Sequence, residues 1–433
     1  MENKIKDMSD NIKNEILLPQ EWPGIHHIDE EEINAVTRVL KNQSPFRFYG
    51  PKPTFEARQF EEEFSQYVGM NYCVAVSNGT TALQVALSAL KVGPGDEVIM
   101  PGYFWVSTAG AVVRLGAIPV LADVDDSMSM DPKDLEAKIT SRTKAVIVVH
   151  MGGVIGQMER IVEICKSKNI PLLEDCAQAA GTHQFGKMAG SFGDLSIFSF
   201  QINKNMTCGE GGAVLTKEKN LYERVFGIHD TGYIKDEEGG FVLDQPELQL
   251  WGIGCRMSDL AAAMARVQLK KLPDIIERMR SFKHELTGII SAYSGIRPRE
   301  VADPSGESGG FLKITFDDQD LSHQFKSKLI ENGIKVADKG FYPIHMEEWG
   351  LHIYYNLPSL VHKRPSMGEY AVWDLKENDF AKDYTYGVGT LPYLDSLVER
   401  TVLFCIASNL TEEHKSVIRE AFILTCDELL EKK

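Results

Sequence analysis

At 433 residues, 43% hydrophobic and 25% charged, the chain exceeds one ordinary domain and has the balance of a globular protein, not of a disordered or fibrous one. Acidic residues outnumber basic ones to a net charge of -16 without a long basic run, which disfavours nucleic acid as a partner, and no apolar stretch approaches the ~18 residues of a membrane helix, so no membrane is expected either. The polar start MENKIKDMSDNIKNE lacks the apolar core of an export signal, and the seven scattered cysteines form no C-x-x-C pair or Cys/His cluster, so a cytoplasmic protein with free thiols and no metal is expected.

In chain order, a polar N-terminal extension (1–20) precedes an expected large domain (21–280) and a smaller C-terminal domain (281–433). Strands are predicted at YCVAVS (72–77), DEVIMP (96–101), IPVLADV (118–124), KAVIVVH (144–150), IPLLED (170–175), LSIFSF (195–200) and GAVLT (212–216), with helical patterns between them. Their apolar residues are consecutive, not alternate, as in strands covered on both faces, which predicts an α/β domain with a mostly parallel central sheet. DEEGG (236–240) and DPSGESGG (303–310) read as surface loops. The helical period of 255–290 breaks at Pro273, predicting two consecutive helices, the second bridging the domains. Further on, GFLKITF reads as a strand, SHQFKSKLIENG as a helix ending in glycine, and TEEHKSVIREAFILTCDELL as a helix capped by Thr411. Together these predict a small α+β domain.

Three segments carry chemistry. SNGTTALQVALSAL (77–90) joins a strand to a helix, so Gly79, Thr80, Thr81 and the helix N–H groups suit an anion; a plain helix cap is the alternative. LLEDCAQAAG (172–181) delivers Asp175 to the strand end where open sheets bind ligands, and a buried carboxylate there suits a protonated pyridine nitrogen, or else caps a helix. FGDLSIFSFQINKNMTCGEGGAVLT (192–216) places Lys204 in a loop between strands, with Ser199 five residues before it. Partly desolvated, its amine can form an imine with an aldehyde; a solvated surface lysine is the alternative, weakened by the glycines and apolar strands around it.

In this order and spacing the segments resemble the DegT/DnrJ/EryC1/StrS sugar aminotransferases, pyridoxal-phosphate enzymes of the aspartate-aminotransferase fold (type I). The likeness runs from FEARQFEEEFSQYVG through SNGTTAL and GDEVIMPGYFWVSTA to CRMSDLAAAMARVQLKKL. It implies a mostly parallel seven-stranded sheet between helices, with a smaller α+β domain. It also implies pyridoxal phosphate held by Lys204 as a Schiff base, with pyridoxamine phosphate as the intermediate of a two-step exchange. Gly79, Thr80, Thr81 and Ser199 are implied at the phosphate, Asp175 at the ring nitrogen, Gln178 at the ring hydroxyl and Trp105 stacked on the ring, although Trp105 taken alone reads as core. Many relatives carry asparagine two residues before Arg256, where this chain has Gly254, which puts one contact to a neighbouring subunit in doubt. Arg256 still matches the dimer-facing element of a homodimer with shared sites.

The implied reaction moves an amino group from glutamate or glutamine to a keto-sugar. Retention of Lys204 argues against the family's dehydratases, which carry histidine there, and intact Lys204, Asp175 and Ser199 argue against a non-catalytic regulator. In GFYPIHMEEWGLHIYYNL (340–357), near the expected mouth of the site, Tyr342, His345, Trp349 and His352 either contact sugar hydroxyls or pack; Tyr342, His345 and Arg256 are the substrate candidates. A fainter resemblance points to an aminotransferase acting on an octulosonate of lipopolysaccharide; nucleotide-linked keto-hexoses and inososes stay open.

Overall fold

Runs of consecutive Val, Ile, Leu and Ala form the central strands because helices cover both faces of the sheet. The computed structural model describes residues 17–234, 240–336, 342–366 and 368–433; most of the N-terminal extension and of DEEGG lies outside them. The strands are β1 (Tyr72–Val76), β2 (Glu97–Pro101), β3 (Ile118–Ala122), β4 (Thr143–Val149), β5 (Leu172–Asp175), β6 (Leu195–Ser199) and β7 (Gly212–Thr216). They form one seven-stranded sheet in the order β1-β7-β6-β5-β4-β2-β3. Only β7 runs against its neighbours. Ile147, Leu173 and Ile197 are wholly buried, each such side chain contributing about 1.5–3 kcal/mol. Several predicted strands run past the sheet edge: Ser77, His150 and Phe200 belong to the loops that follow.

The break expected at Pro273 does not occur. Asp259–Ser291 is one helix of 33 residues with Pro273 inside it. An interior proline loses a backbone hydrogen bond and costs about 3 kcal/mol or more. Here Leu269, Leu272, Ile275, Ile276 and Met279, on both sides of the proline, are buried in the core, and that packing offsets the cost.

The C-terminal part carries an antiparallel four-stranded sheet of β8 (Ile296–Pro298), β9 (Phe311–Phe316), β10 (Ile344–His345) and β11 (Thr401–Cys405), in the order β8-β9-β11-β10. Helices Gln319–Glu331 and Glu412–Leu429 pack on it, and Thr411 Oγ1 accepts the His414 N–H at 3.2 Å in the expected cap. The fold is thus the mixed α/β arrangement with a second, smaller sheet that the sequence implies. Among the described residues no helix is long and apolar enough to cross a membrane.

Candidate active site

With only β7 reversed, the C-terminal ends of β1, β2, β4, β5 and β6 converge on one sheet edge, the usual ligand edge of open α/β sheets. There a cavity of about 820 Å³ is lined by Gly79, Thr80, Thr81, Trp105, Asp175, Gln178, Ser199 and Lys204 among others. The implied cofactor residues, spread over more than a hundred positions of sequence, therefore share one space.

At one end, Asn78 caps helix Gly79–Ala89: its Oδ1 accepts the Thr81 N–H at 2.8 Å, and the Thr81 hydroxyl donates to the Asn78 carbonyl at 2.9 Å. The segment is thus both a helix cap and a cavity wall. The cap takes the Thr81 hydroxyl proton and Ser107 Oγ takes that of Thr80 at 2.8 Å, so anion binding falls mainly to the free N–H groups of the first turn. A Cβ on Gly79 would lie 2.8 Å from Ser199 Cβ, so the glycine is what lets the helix start sit against Ser199.

Deeper in, Asp175 is 4% exposed. Thr108 Oγ1 donates to its Oδ2 at 2.9 Å and the Ala177 N–H to its Oδ1 at 3.1 Å. Burial pushes its pKa above the usual carboxylate range, against these two bonds and the nearby Lys204 and His150. Among the described residues it makes no ion pair, and a buried carboxylate without a cationic partner suits a ring N–H⁺. Gln178 accepts the Gly152 N–H at 2.8 Å through Oε1, leaving its NH2 for a ligand.

Lys204 sits in the loop between β6 and β7. Its backbone is fastened at both groups, its N–H donating to Gln201 O at 3.0 Å and its carbonyl accepting Gly24 N–H at 3.1 Å, so the side chain is aimed, not loose. Desolvation by burial lowers its ammonium pKa, opposed by Asp175 and Glu210. A lysine in that state yields a nucleophilic amine more readily than a surface one.

Trp105 is not core. It is 42% exposed at the cavity, with its ring 4.8 Å from that of His352. It stands where strand β2 has ended and helix Val106–Arg114 begins, so neither element buries it. His352 in turn stacks on Trp349 at 4.3 Å, and both line the cavity with Phe311. Burial holds the His352 pKa down to about 3, leaving a neutral imidazole.

Tyr342 and His345, expected at the substrate, do not line the cavity. Tyr342 packs against Phe404 in the core of the small sheet, and His345 is wholly buried on β10 with its ring stacked on His323. The segment turns over between them and Trp349, so its earlier residues face the small core and its later ones the cavity. Arg256 is also outside the cavity, bonded to Asp230 and 5.6 Å from the Phe46 ring. Gly254 has φ +67° with open space at its Cβ position, a left-handed conformation that asparagine also tolerates, so the departure keeps the backbone path.

Sequence reasoning missed Ser107, Thr108 and His150 in the lining. His150 follows β4 as Asp175 ends β5, so the argument that found Asp175 also reaches it. Its Nε2 lies 3.0 Å from Glu174 Oε2, which also accepts the Gly190 N–H, while Oε1 accepts those of Phe192 and Gly193.

An anion cradle, a buried carboxylate and an inward lysine on the ligand edge of this sheet fit pyridoxal phosphate, and fold and site together define a pyridoxal-phosphate-dependent aminotransferase of fold type I. A crystal structure of 3-amino-5-hydroxybenzoic acid synthase aligns over 95% of this chain and 100% of its own, with a TM-score of 0.75 and 26% identity. The model of the DegT/DnrJ/EryC1/StrS aminotransferase family matches residues 26–358, and the chain belongs to that family. It is 35% identical over 293 residues to GDP-perosamine synthase of Escherichia coli O157:H7, covering 66% of this chain and 77% of that one. It is also 35% identical over 287 residues to L-glutamine:2-deoxy-scyllo-inosose aminotransferase of Streptoalloteichus tenebrarius, covering 65% and 67%.

Proposed function

We propose that the protein transfers an amino group from glutamate or glutamine to the carbonyl of a keto-sugar, nucleotide-linked or of the octulosonate type, in amino-sugar biosynthesis for a surface polysaccharide or an antibiotic. The observation that carries this reading is the two-sided cavity, polar at the sheet edge and aromatic opposite, where Trp349, His352 and Phe311 offer faces to a sugar's C–H surface. The names of the relatives, a synthase of GDP-perosamine and an aminotransferase of 2-deoxy-scyllo-inosose, agree with it.

Pyridoxal phosphate, when bound, supplies an aldehyde and an electron-accepting ring. Thr80, Ser199 and the first-turn N–H groups would hold its phosphate, Gln178 would serve its ring hydroxyl, Trp105 would contact the ring and Asp175 would keep its nitrogen protonated. Lys204 Nζ would be the attachment point and then the base that takes and returns a substrate proton.

A homodimer with shared sites is part of the proposal. Trp251 is 94% exposed, and Leu243 and Ile253 of the same segment are exposed too, large apolar side chains that suit a subunit contact. It leads into Gly254–Arg256, where the Cys255 carbonyl accepts the Ser77 N–H at 2.7 Å beside the phosphate cradle. The free, buried cysteines suit a cytoplasmic location.

The test is a half-reaction screen. Yellow purified protein should bleach with glutamate or glutamine and regain its colour with a keto-sugar. Recovery of colour with 2-keto acids alone, across nucleotide-linked and free keto-sugars, would overturn the sugar assignment.

A further inference from the structure

Away from the cavity, helix Gln319–Glu331, strand β10 and the turn Met346–Glu348 bring His323, His345 and Glu347 together, with one ligand atom from each within 4.8 Å of the others. The protonation of His345 follows from its neighbours. Ser322 Oγ donates to the Gln319 carbonyl at 2.6 Å, and a hydroxyl has only one proton. Its oxygen must therefore accept from His345 Nε2–H at 2.9 Å, which leaves Nδ1 as a bare lone pair. That nitrogen is buried, makes no hydrogen bond, and lies 3.3 Å from Glu347 Oε2. A lone pair held against a carboxylate oxygen with nothing between them is unfavourable, and a cation placed there removes the conflict.

Lys326, the nearby competing cation, is engaged by Glu348 at 2.8 Å. Two imidazoles and a carboxylate are the donor set of Zn²⁺ and its first-row neighbours. His323 Nε2 is already 3.8 Å from Glu347 Oε2, close to the spacing of two ligands about 2.0–2.2 Å from a shared ion. The two rings are stacked at 4.1 Å and 13°, so the half-exposed His323 must rotate to aim its lone pair at the ion, while buried His345 stays in place.

We propose that His323, His345 and Glu347 form a site for a divalent transition-metal ion of the zinc class, which fastens the turn carrying Trp349 and His352 to helix Gln319–Glu331. None of the cofactor residues takes part in this site, and it is independent of which sugar is the substrate. The ion is structural, since the cluster is not part of the cavity lining.

The test uses the full-length holoenzyme, freed of metal by chelator and dialysed against Zn²⁺ or Co²⁺ alone. One ion per chain is expected, with Co²⁺ giving ligand-field absorption at wavelengths longer than the cofactor's. His323→Ala and Glu347→Gln, both at part-exposed positions that do not hold the core, should each weaken binding at least ten-fold. Cys176→Ser, in the separate buried group of His150, Glu174 and Cys176, should leave it unchanged. No retained ion, or undiminished binding in His323→Ala, would overturn the site. Hydrogen exchange in 346–352 should slow with Zn²⁺ in the wild type but not in His323→Ala; unchanged exchange in a metal-loaded wild type would overturn the fastening role.

Discussion

The two walls of the cavity are built by different means. The sheet-edge wall is made of residues that end strands or begin helices: Ser199 closes β6, Asp175 closes β5, and Gly79 opens a helix. Their positions are fixed by a rigid hydrogen-bonded sheet, so a spacing in sequence becomes a position in space. The opposite wall comes mainly from 348–352, within a succession of short turns over 346–356, with Phe311 added from the start of β9. On the function proposed above, chemistry belongs to the wall whose geometry the sheet dictates, and recognition to the wall that turns can vary without disturbing it.

That contrast makes the sheet-edge wall the place of the largest effects. Lys204→Ala should lower turnover by about ten-thousand-fold, the upper range for removing an acid–base group, while the protein still binds pyridoxal phosphate without covalent attachment. Borohydride treatment followed by peptide mapping checks this: wild-type label should sit on the peptide containing Lys204, and the variant should carry none. Label elsewhere would move the attachment point and break the comparison at its strongest side.

Asp175→Ala should come next, with a loss on the order of 10²–10³-fold in kcat, as for removal of other preorganised electrostatic groups. Its readout beyond rate is the absorption of the bound cofactor, which should change as the ring nitrogen loses its counter-charge. Asp175→Glu should recover part of the activity if charge is what matters. A near-normal rate in the alanine variant would assign the ring nitrogen to another group.

Gly79→Ala tests the phosphate end. The added Cβ meets Ser199 Cβ at 2.8 Å and Oγ at 3.2 Å, so helix start and strand end must separate. Overpacking of this kind costs about 1–3 kcal/mol, which as cofactor affinity is roughly five-fold to a hundred-fold. Equilibrium dialysis of the apoenzyme with pyridoxal phosphate measures it; unchanged affinity would mean that the cradle is not where the phosphate binds.

What was legible in the sequence divides along the same line. The seven strands, Asp175, Lys204 and Ser199 could be read because consecutive apolar runs mark buried strands and the first polar residue beyond them marks the edge. Thr108 could not be: its bond to Asp175 spans 67 positions and depends on a neighbouring helix facing β5, which no local pattern records. Trp105 read alone as core because an aromatic after an apolar strand usually is, and only the folded edge shows that nothing covers it. Pro273 obeyed its local rule in the sequence and lost to packing along a helix buried on both sides of it. Around 342–352 no period of 2 or 3.6 persists, so residue types were visible but the direction each side chain takes was not.

The smallest effects belong to that second wall, and they separate residues that sequence reasoning had grouped together. His352 lies between Trp349 and Trp105, and such ring contacts contribute about 0.5–1.5 kcal/mol each beyond area burial. His352→Ala should therefore raise KM for the keto-sugar by up to about ten-fold while bleaching by the amino donor proceeds at close to the wild-type rate. Tyr342→Phe keeps the ring that packs on Phe404 and removes a hydroxyl remote from the cavity, so neither half-reaction should change measurably. Stopped-flow measurement of the two half-reactions checks both variants. If Tyr342→Phe impaired the sugar half-reaction as much as His352→Ala, the segment would have to sit with its earlier residues toward the substrate, and the division between a core-facing and a cavity-facing stretch would fail.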